Sequence, residues 1–328
     1  MGYNAFTKLG HLQLNSPIII GANDQLIDFN SFALIAKHSK QLGAFVTKSC
    51  TLKSRIGNPE PIIACVENNV LVSSGLRNPG INKMLPEIIQ YQAKYPSSLF
   101  PHLIVSIASD PDNHSLTPMD EYTQLACQLY ENGITSIELN LSCPNLNKHE
   151  IIANNSQSVY EIIHSIKQAF ARKGYNLYTL IAKLAGSEET ISQSALAAVE
   201  AGIDAITILP LLRATAFYTG LTSTNINHKK IGTPLLGNIH GTTYGSGLGP
   251  ITRQLTVNLS KIIKVPIIAS GGCLCGMNNT IIEKTDGLIQ TLLSGAQFTA
   301  AVSAFFPFTP DKLEEIDLII DNYRKFTS

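Results

Sequence analysis

The chain has 328 residues, of which 44% are hydrophobic, and that is enough for a sizeable core. Lys and Arg together number 24, as do Asp and Glu, and like charges form no runs, which argues against a nucleic-acid partner or a charged membrane surface. No apolar stretch approaches the ~18 residues of a membrane-spanning helix. The six cysteines are scattered and no signal peptide precedes them, which is typical of a reduced, cytoplasmic protein. Their spacing predicts no metal site.

Short apolar runs alternate with segments of helical periodicity along the chain. The predicted strands are residues 17–20, 44–47, 102–107, 137–141, 178–183, 204–209, 265–269 and 298–302. The predicted helices are residues 29–42, 122–132, 159–172, 191–200, 251–263, 280–293 and 313–326. Because the strands are apolar throughout, both of their faces should be covered. This order predicts an α/β fold, a (β/α)8 TIM barrel, with an open doubly wound sheet as the alternative.

We expect one barrel domain over residues 1–328, interrupted by two long excursions. The first covers about residues 50–101, and the second covers about residues 210–249 and is rich in Thr, Asn and Gly. No short repeat and no linker divides the chain.

In a barrel of this kind the functional site lies at the carboxyl ends of the strands, so the residues that end each strand are candidates. They are Ala22 with Asn23, Lys48 with Ser49, Ser106, Asn140, Lys183, Thr207 or Leu209, Ser270 with Gly271 and Gly272, and Val302 with Ser303. A lysine at a strand end costs free energy unless a partner waits there. Lys48 and Lys183 would therefore pair with electron-rich or anionic atoms of a cofactor, and the alternative is two solvated lysines.

Glycines near the last two strand ends predict a phosphate site. Gly271 and Gly272 let backbone N–H groups point into a concavity, and Ser303 starts the turn after the last strand. Gly247, in the preceding excursion, adds another flexible backbone segment. The alternative is a set of ordinary glycine turns.

A cysteine also leaves a strand into a turn. Cys143 lies between Asn140 and Asn145, where two amides could hydrogen-bond a flat, carbonyl-rich ring while the sulfur reaches one of its C–H bonds. A buried cysteine between two turn asparagines is the alternative.

The stretch Asn140-Leu141-Ser142-Cys143-Pro144-Asn145 resembles the active-site loop of class 1 dihydroorotate dehydrogenases, which are FMN enzymes of pyrimidine synthesis. Further segments resemble the same family in the same order: Thr47-Lys48-Ser49, Gly57-Asn58-Pro59 with Pro61, Gly75-Leu76 with Asn78-Pro79-Gly80, and Ser270-Gly271-Gly272. The similarity extends from about residue 17 to residue 303.

The resemblance implies FMN as cofactor, dihydroorotate as substrate and a homodimer. It places the FMN phosphate on Gly271, Gly272 and the Val302–Ser303 turn, and the flavin ring against Lys48, Ser49, Asn140 and Lys183. From their positions at strand ends or in glycine turns, Ala22, Ser106, Gly247 and Ser270 are further candidates for the cofactor site. Cys143 would be the base that takes a proton from C5 of dihydroorotate while C6 gives a hydride to the flavin. Asn140, Asn145, Lys48 and the backbone at Gly75 and Leu76 would hold the substrate.

Four positions depart from the family's pattern. Val72 stands for an asparagine, Pro210-Leu211 for Asn-Ser or Asn-Thr, Val302-Ser303 for Gly-Thr, and Ala300 for a glutamine. The first two changes remove hydrogen-bond donors from the expected substrate pocket. The alternatives to dihydroorotate oxidation are a flavoenzyme for another unsaturated ring or enoate, a degenerate barrel that binds phosphate or a partner, and a Schiff-base aldolase using Lys183. Fumarate, or NAD through a partner subunit, would accept the electrons.

Overall fold

The computed structural model describes residues 7–66, 69–142, 151–219, 231–275 and 278–327. Its strands are β1 (Thr7–Leu9), β2 (Leu12–Leu14), β3 (Ile18–Ile20), β4 (Ala44–Val46), β5 (Ile63–Val66), β6 (Asn69–Val72), β7 (His102–Ile107), β8 (Ser136–Asn140), β9 (Thr179–Gly186), β10 (Ala205–Pro210), β11 (Arg213–Ala214), β12 (Gly241–Gly245), β13 (Ile267–Ser270) and β14 (Phe298–Ala301).

The helices follow the same alternation. They are α1 (Phe29–His38), α2 (Ile81–Lys94), α3 (Pro118–Glu131), α4 (Ser156–Lys173), α5 (Glu188–Glu200), α6 (Gly249–Ile262), α7 (Ile281–Leu293) and α8 (Pro310–Thr327). Short 3₁₀ turns at Ile152–Asn154 and Ser246–Leu248 precede α4 and α6.

Eight parallel strands close into a barrel in the order β3, β4, β7, β8, β9, β10, β13, β14. All eight strands predicted from the sequence are barrel strands, with ends that agree to within three residues. The predicted (β/α)8 fold is confirmed, and the open doubly wound sheet is ruled out because β3 pairs with β14 and closes the ring.

The barrel interior is filled by apolar side chains. Ile19, Val46, Ile104, Ile181 and Phe298 are buried together there. Leu9 and Leu14 join this cluster from the hairpin β1–β2. The hairpin sits at the amino end of β9, since the Thr179 hydroxyl oxygen accepts a hydrogen bond of 2.9 Å from the backbone N–H of His11. The opposite, carboxyl end of the barrel is the one available for a site.

Helix α2 was not predicted. Its buried residues Ile81, Met84, Ile88 and Tyr91 follow helical spacing, but Pro86 lies inside the helix and interrupts the pattern. It supplies the helical layer between β4 and β7, which the sequence analysis assigned only to a long excursion.

A second sheet forms from the two excursions. It is antiparallel, with the order β11, β12, β6, β5. Val72 pairs with Ile63 on one side and with Thr242 on the other, so segments far apart in the sequence lie side by side. Within the described residues no helix is long and apolar enough to cross a membrane.

Candidate active site

A cleft of about 1280 Å³, open to solvent, lies at the carboxyl end of the barrel strands. Most of the predicted site residues line it. They are Ala22, Lys48, Ser49, Leu76, Asn140, Lys183, Ser270, Gly271, Gly272, Val302 and Ser303. The second sheet adds a wall to the same cleft. Residues from distant parts of the chain therefore meet at one place, as their positions at strand ends predicted.

Three predicted residues do not line the cleft. Ser106 is fully buried beneath it, where its hydroxyl contacts Ser49 and Glu138. Gly75 has a φ of +60°, and a side chain there would overlap Asn58, so the glycine shapes the turn that presents Leu76. Gly247 lies in the 3₁₀ turn before α6. Cys143 and Asn145 fall outside the described residues.

Lys48 forms an ion pair that the sequence analysis did not predict. Only 8% of this residue is exposed, and its Nζ lies 2.6 Å from Oδ1 of Asp24 and 3.3 Å from the hydroxyl of Ser74. The loop holding Asp24 is ordered by Asn23, whose side chain donates to the Gly21 carbonyl and accepts from the Gln25 N–H. The interpretation of Lys48 as a solvated lysine is therefore wrong. The missed signal was a carboxylate two residues beyond the predicted site residue Ala22.

Lys183 differs from Lys48 in its charge environment. It lines the cleft and is half-buried, and its ammonium forms no ion pair or hydrogen bond with another described residue. Desolvating a lysine without a partner costs free energy. The geometry leaves this cation available for an anionic ligand.

The backbone around Gly271 and Gly272 is shaped to hold an anion. Their φ angles are +104° and +67°, in the region that favours glycine, and a Cβ on Gly272 would overlap the carbonyl oxygen of Gly245. The Thr252 hydroxyl donates to the Gly271 carbonyl at 2.7 Å and fixes this loop against α6. Within the described part of the chain, the backbone N–H groups of Gly271, Gly272 and Ser303 have no acceptor. A phosphate fits such a cradle of N–H donors.

Hydrogen bonds anchor Asn140 and Ser142, the last described residues before Cys143. Asn140 donates through Nδ2 to the Ser49 hydroxyl at 2.9 Å, and its backbone carbonyl accepts from Tyr122 at 2.6 Å. The Ser142 hydroxyl accepts from the Ala185 N–H at 2.6 Å and donates to the Lys183 carbonyl. The start of the cysteine loop is thus fixed against β9.

The wall of the cleft supplied by the second sheet is mostly apolar. Ile63, Val70, Val72 and Tyr244 line it, and cross-strand pairing puts all four on one face of the sheet. Leu209, at the end of β10, adds to the same lining. The departure from the family's asparagine at Val72 therefore lies inside the cleft.

Among the described residues, the thiols of Cys273 and Cys275 line the cleft. Burial raises the pKa of the Cys273 thiol to about 11. It is therefore a neutral thiol at physiological pH, which makes it a poor base or nucleophile.

The fold and the cleft define an α/β barrel with an anion cradle and two lysines at its mouth. The sequence profile of the dihydroorotate dehydrogenase family matches residues 5–306, so the chain belongs to this family, whose members are oxidoreductases acting on CH–CH bonds. The family predicted from the cysteine loop is confirmed.

Individual relatives agree with this assignment. The chain is 28% identical over 313 residues to the catalytic subunit of dihydroorotate dehydrogenase B (NAD(+)) from Desulforamulus reducens, covering 93% of this chain and 89% of that protein. It is 30% identical over 283 residues to the subunit of the same name from Endomicrobium trichonymphae, covering 86% and 80%. The crystal structure of Eimeria tenella dihydroorotate dehydrogenase with ferulenol superposes with a TM-score of 0.70 at 16% identity, covering 97% and 84%, and thus shares the fold.

Proposed function

We propose that the protein is an FMN-dependent dihydroorotate dehydrogenase that oxidises dihydroorotate to orotate in pyrimidine biosynthesis. One observation carries the proposal: in a chain of this family, most of the residues expected to hold the flavin line one cleft of about 1280 Å³ that is open to solvent. The N–H groups of Gly271, Gly272 and Ser303, which have no acceptor among the described residues, suit the FMN phosphate. Neither a degenerate barrel nor an aldolase would need both a phosphate cradle and a cleft lined by the residues expected to hold a flavin.

The remaining side chains would contact either the flavin ring or the substrate. Lys183, Asn140 and Ser49 would contact the flavin ring, where a lysine ammonium stabilises negative charge that develops on reduction. Asn140, Asn145 and the backbone at Gly75 and Leu76 would hold dihydroorotate. Bound FMN supplies the acceptor for the hydride that leaves C6 of the substrate.

Cys143 is proposed as the base that removes the proton from C5. A thiol of ordinary pKa, about 8.5, is only a few per cent thiolate at neutral pH. Because a cation near a thiol lowers its pKa, the lysines of the cleft would favour the reactive thiolate.

An absorption spectrum tests this function directly. The purified protein, titrated with FMN if it is colourless, should show bound flavin that bleaches anaerobically when dihydroorotate is added. A protein that takes up no FMN would contradict the proposal. A protein that binds FMN but is not reduced by dihydroorotate would reject the substrate and retain the flavin chemistry.

The apolar wall favours a second candidate function. Val72, with Ile63, Val70 and Leu209, offers no hydrogen bond to a carboxylate or an imide. A less polar unsaturated ring or enoate would lose less hydration on entering such a cleft. Reoxidation of the reduced flavin by an apolar enoate, faster than by orotate, would select this candidate.

We also propose that the chain acts in the cytoplasm as a homodimer and passes its electrons to NAD⁺ through another subunit. The support is the resemblance, together with relatives that are named catalytic subunits of NAD(+) enzymes. The isolated chain should then elute as a dimer and reduce no NAD⁺ by itself. Reoxidation of the chain alone by fumarate would point to a self-sufficient enzyme instead.

A further inference from the structure

A carboxylate is buried inside the barrel beneath the cleft. Glu138, on β8, is 2% exposed. Its Oε1 accepts from the Ser106 hydroxyl at 3.2 Å and its Oε2 accepts from the Thr207 hydroxyl at 3.1 Å. Within the described residues these hydroxyls are its only partners, with no cation among them. A buried carboxylate with neutral partners costs more free energy than an apolar side chain of similar size, so packing does not explain it.

One of these hydroxyls leads back to the cleft. Ser106 Oγ lies 2.9 Å from Ser49 Oγ, which in turn lies 2.9 Å from Asn140 Nδ2. Ser49 and Asn140 line the cleft, whereas Ser106 and Glu138 lie beneath it. A continuous chain of hydrogen bonds therefore joins the buried carboxylate to an amide at the cleft surface.

The carboxylate fixes the direction of this chain. Both Glu138 oxygens accept, so the Ser106 proton points to Glu138. Ser106 Oγ then accepts the proton of Ser49, and Ser49 Oγ accepts from Asn140. The amide nitrogen of Asn140 consequently faces Ser49, and its oxygen faces the N–H of Ser142 at 3.4 Å. The second amide hydrogen of Asn140 has no acceptor among the described residues and is left for a ligand.

We propose that Glu138 is a positioning residue that orients the Asn140 amide through Ser106 and Ser49, so that the cleft presents an N–H donor to the flavin. This role rests on the proposed function, because it needs FMN in the cleft. Glu138 touches neither cofactor nor substrate. Its two accepting oxygens are what a glutamine of the same shape cannot supply.

Glu138→Gln tests the role because glutamine keeps the shape and loses the fixed direction. An amide both donates and accepts, and one that accepts from Thr207 turns its own N–H toward Ser106, which reverses the chain. We expect the Kd for FMN to rise about three- to tenfold, the range for one well-placed hydrogen bond. We also expect the visible bands of the bound flavin to shift, while the melting temperature is retained within a few degrees.

Two further variants separate direction from stability. Ser106→Ala breaks the chain without changing the charge and should reproduce the weakened FMN binding and the shifted spectrum. Thr207→Val removes the other donor to Glu138 and leaves the chain intact, so its FMN affinity should stay within about twofold of the original. The double variant S106A/E138Q should be no worse than S106A, because both changes act on one chain.

The outcomes are distinguishable. If the unaltered protein binds FMN, and E138Q and S106A bind it with the affinity and spectrum of T207V, the positioning role is overturned and the proposed function stands. If the unaltered protein binds no FMN, the proposed function falls and the role of Glu138 falls with it. Should E138Q fail to fold, S106A with T207V as its control still decides the question.

Discussion

Nζ of Lys48 lies 2.6 Å from Oδ1 of Asp24, and both residues line the cleft. This pair cancels one of the two lysine charges at the barrel mouth. Among the described residues that line the cleft, Lys183 is the lysine that forms no ion pair. Removal of the Asp24 charge and removal of the Lys48 charge should change the electrostatic field at a bound flavin in opposite directions.

Asp24→Asn should raise the midpoint potential of bound FMN, and Lys48→Met should lower it. One uncompensated charge near the flavin changes its free energy of reduction by about 1 kcal/mol, which is roughly 20 mV for a two-electron couple. Equilibration with reference dyes measures both shifts. The double variant D24N/K48M should return close to the original potential, and shifts of the same sign in both single variants would contradict this account.

Cys143→Ala should retain flavin and slow its reduction by dihydroorotate by a factor of ~10² or more, as expected when a general base is lost. Anaerobic stopped-flow absorbance measures the rate. Cys127→Ser, on the outer helix α3, is the control and should leave the rate unchanged. Equal rates in C143A and the unaltered protein would remove Cys143 from the mechanism.

Gly272→Ala should abolish or strongly weaken FMN binding. The added Cβ would overlap the Gly245 carbonyl and the Gly249 backbone nitrogen, so the cradle would have to open. Gly133→Ala is a matched control with a similar φ of +79° and open space around it. It should cost about 1 kcal/mol of stability through backbone strain and leave the FMN affinity unchanged. Titration with FMN and thermal unfolding separate the two effects.

Val72→Asn should tighten orotate binding by about tenfold, because it returns an amide to a wall that lacks one. Quenching or shift of the flavin spectrum on titration with orotate measures this affinity. Val70→Asn places the same amide at another position on the same face of β6, and it should change the orotate affinity less. An unchanged orotate affinity in V72N would support a substrate unrelated to orotate.

The sequence predicted the barrel strands better than the second sheet, which forms one wall of the cleft. Strands such as His102–Ile107 are apolar on both faces, and that pattern is local enough to recognise. The second sheet depends on Val72 pairing with Thr242, a contact between excursions that no periodicity reports. Helix α2 was missed because Pro86 lies inside it, and a proline usually ends a helix.

The site was predictable where strand ends alone decide it. Lys48, Asn140, Lys183 and Gly271 were found because parallel strands deliver their last residues to one rim. Asp24 and Glu138 were missed for different reasons. Asp24 reaches the cleft through a loop turn set by Asn23, and Glu138 lies mid-strand among apolar neighbours, where only the closed barrel brings Ser106 and Thr207 to it.

The pairing of β6 with β12 has an evolutionary consequence. The cradle and the lysines belong to the barrel strands, whereas the apolar wall belongs to two insertions that meet outside it. Substitutions in the insertions can therefore change which molecule is oxidised without disturbing the redox machinery below. A lineage could exchange its substrate through a few replacements such as the valine at position 72, and keep the proposed flavin chemistry.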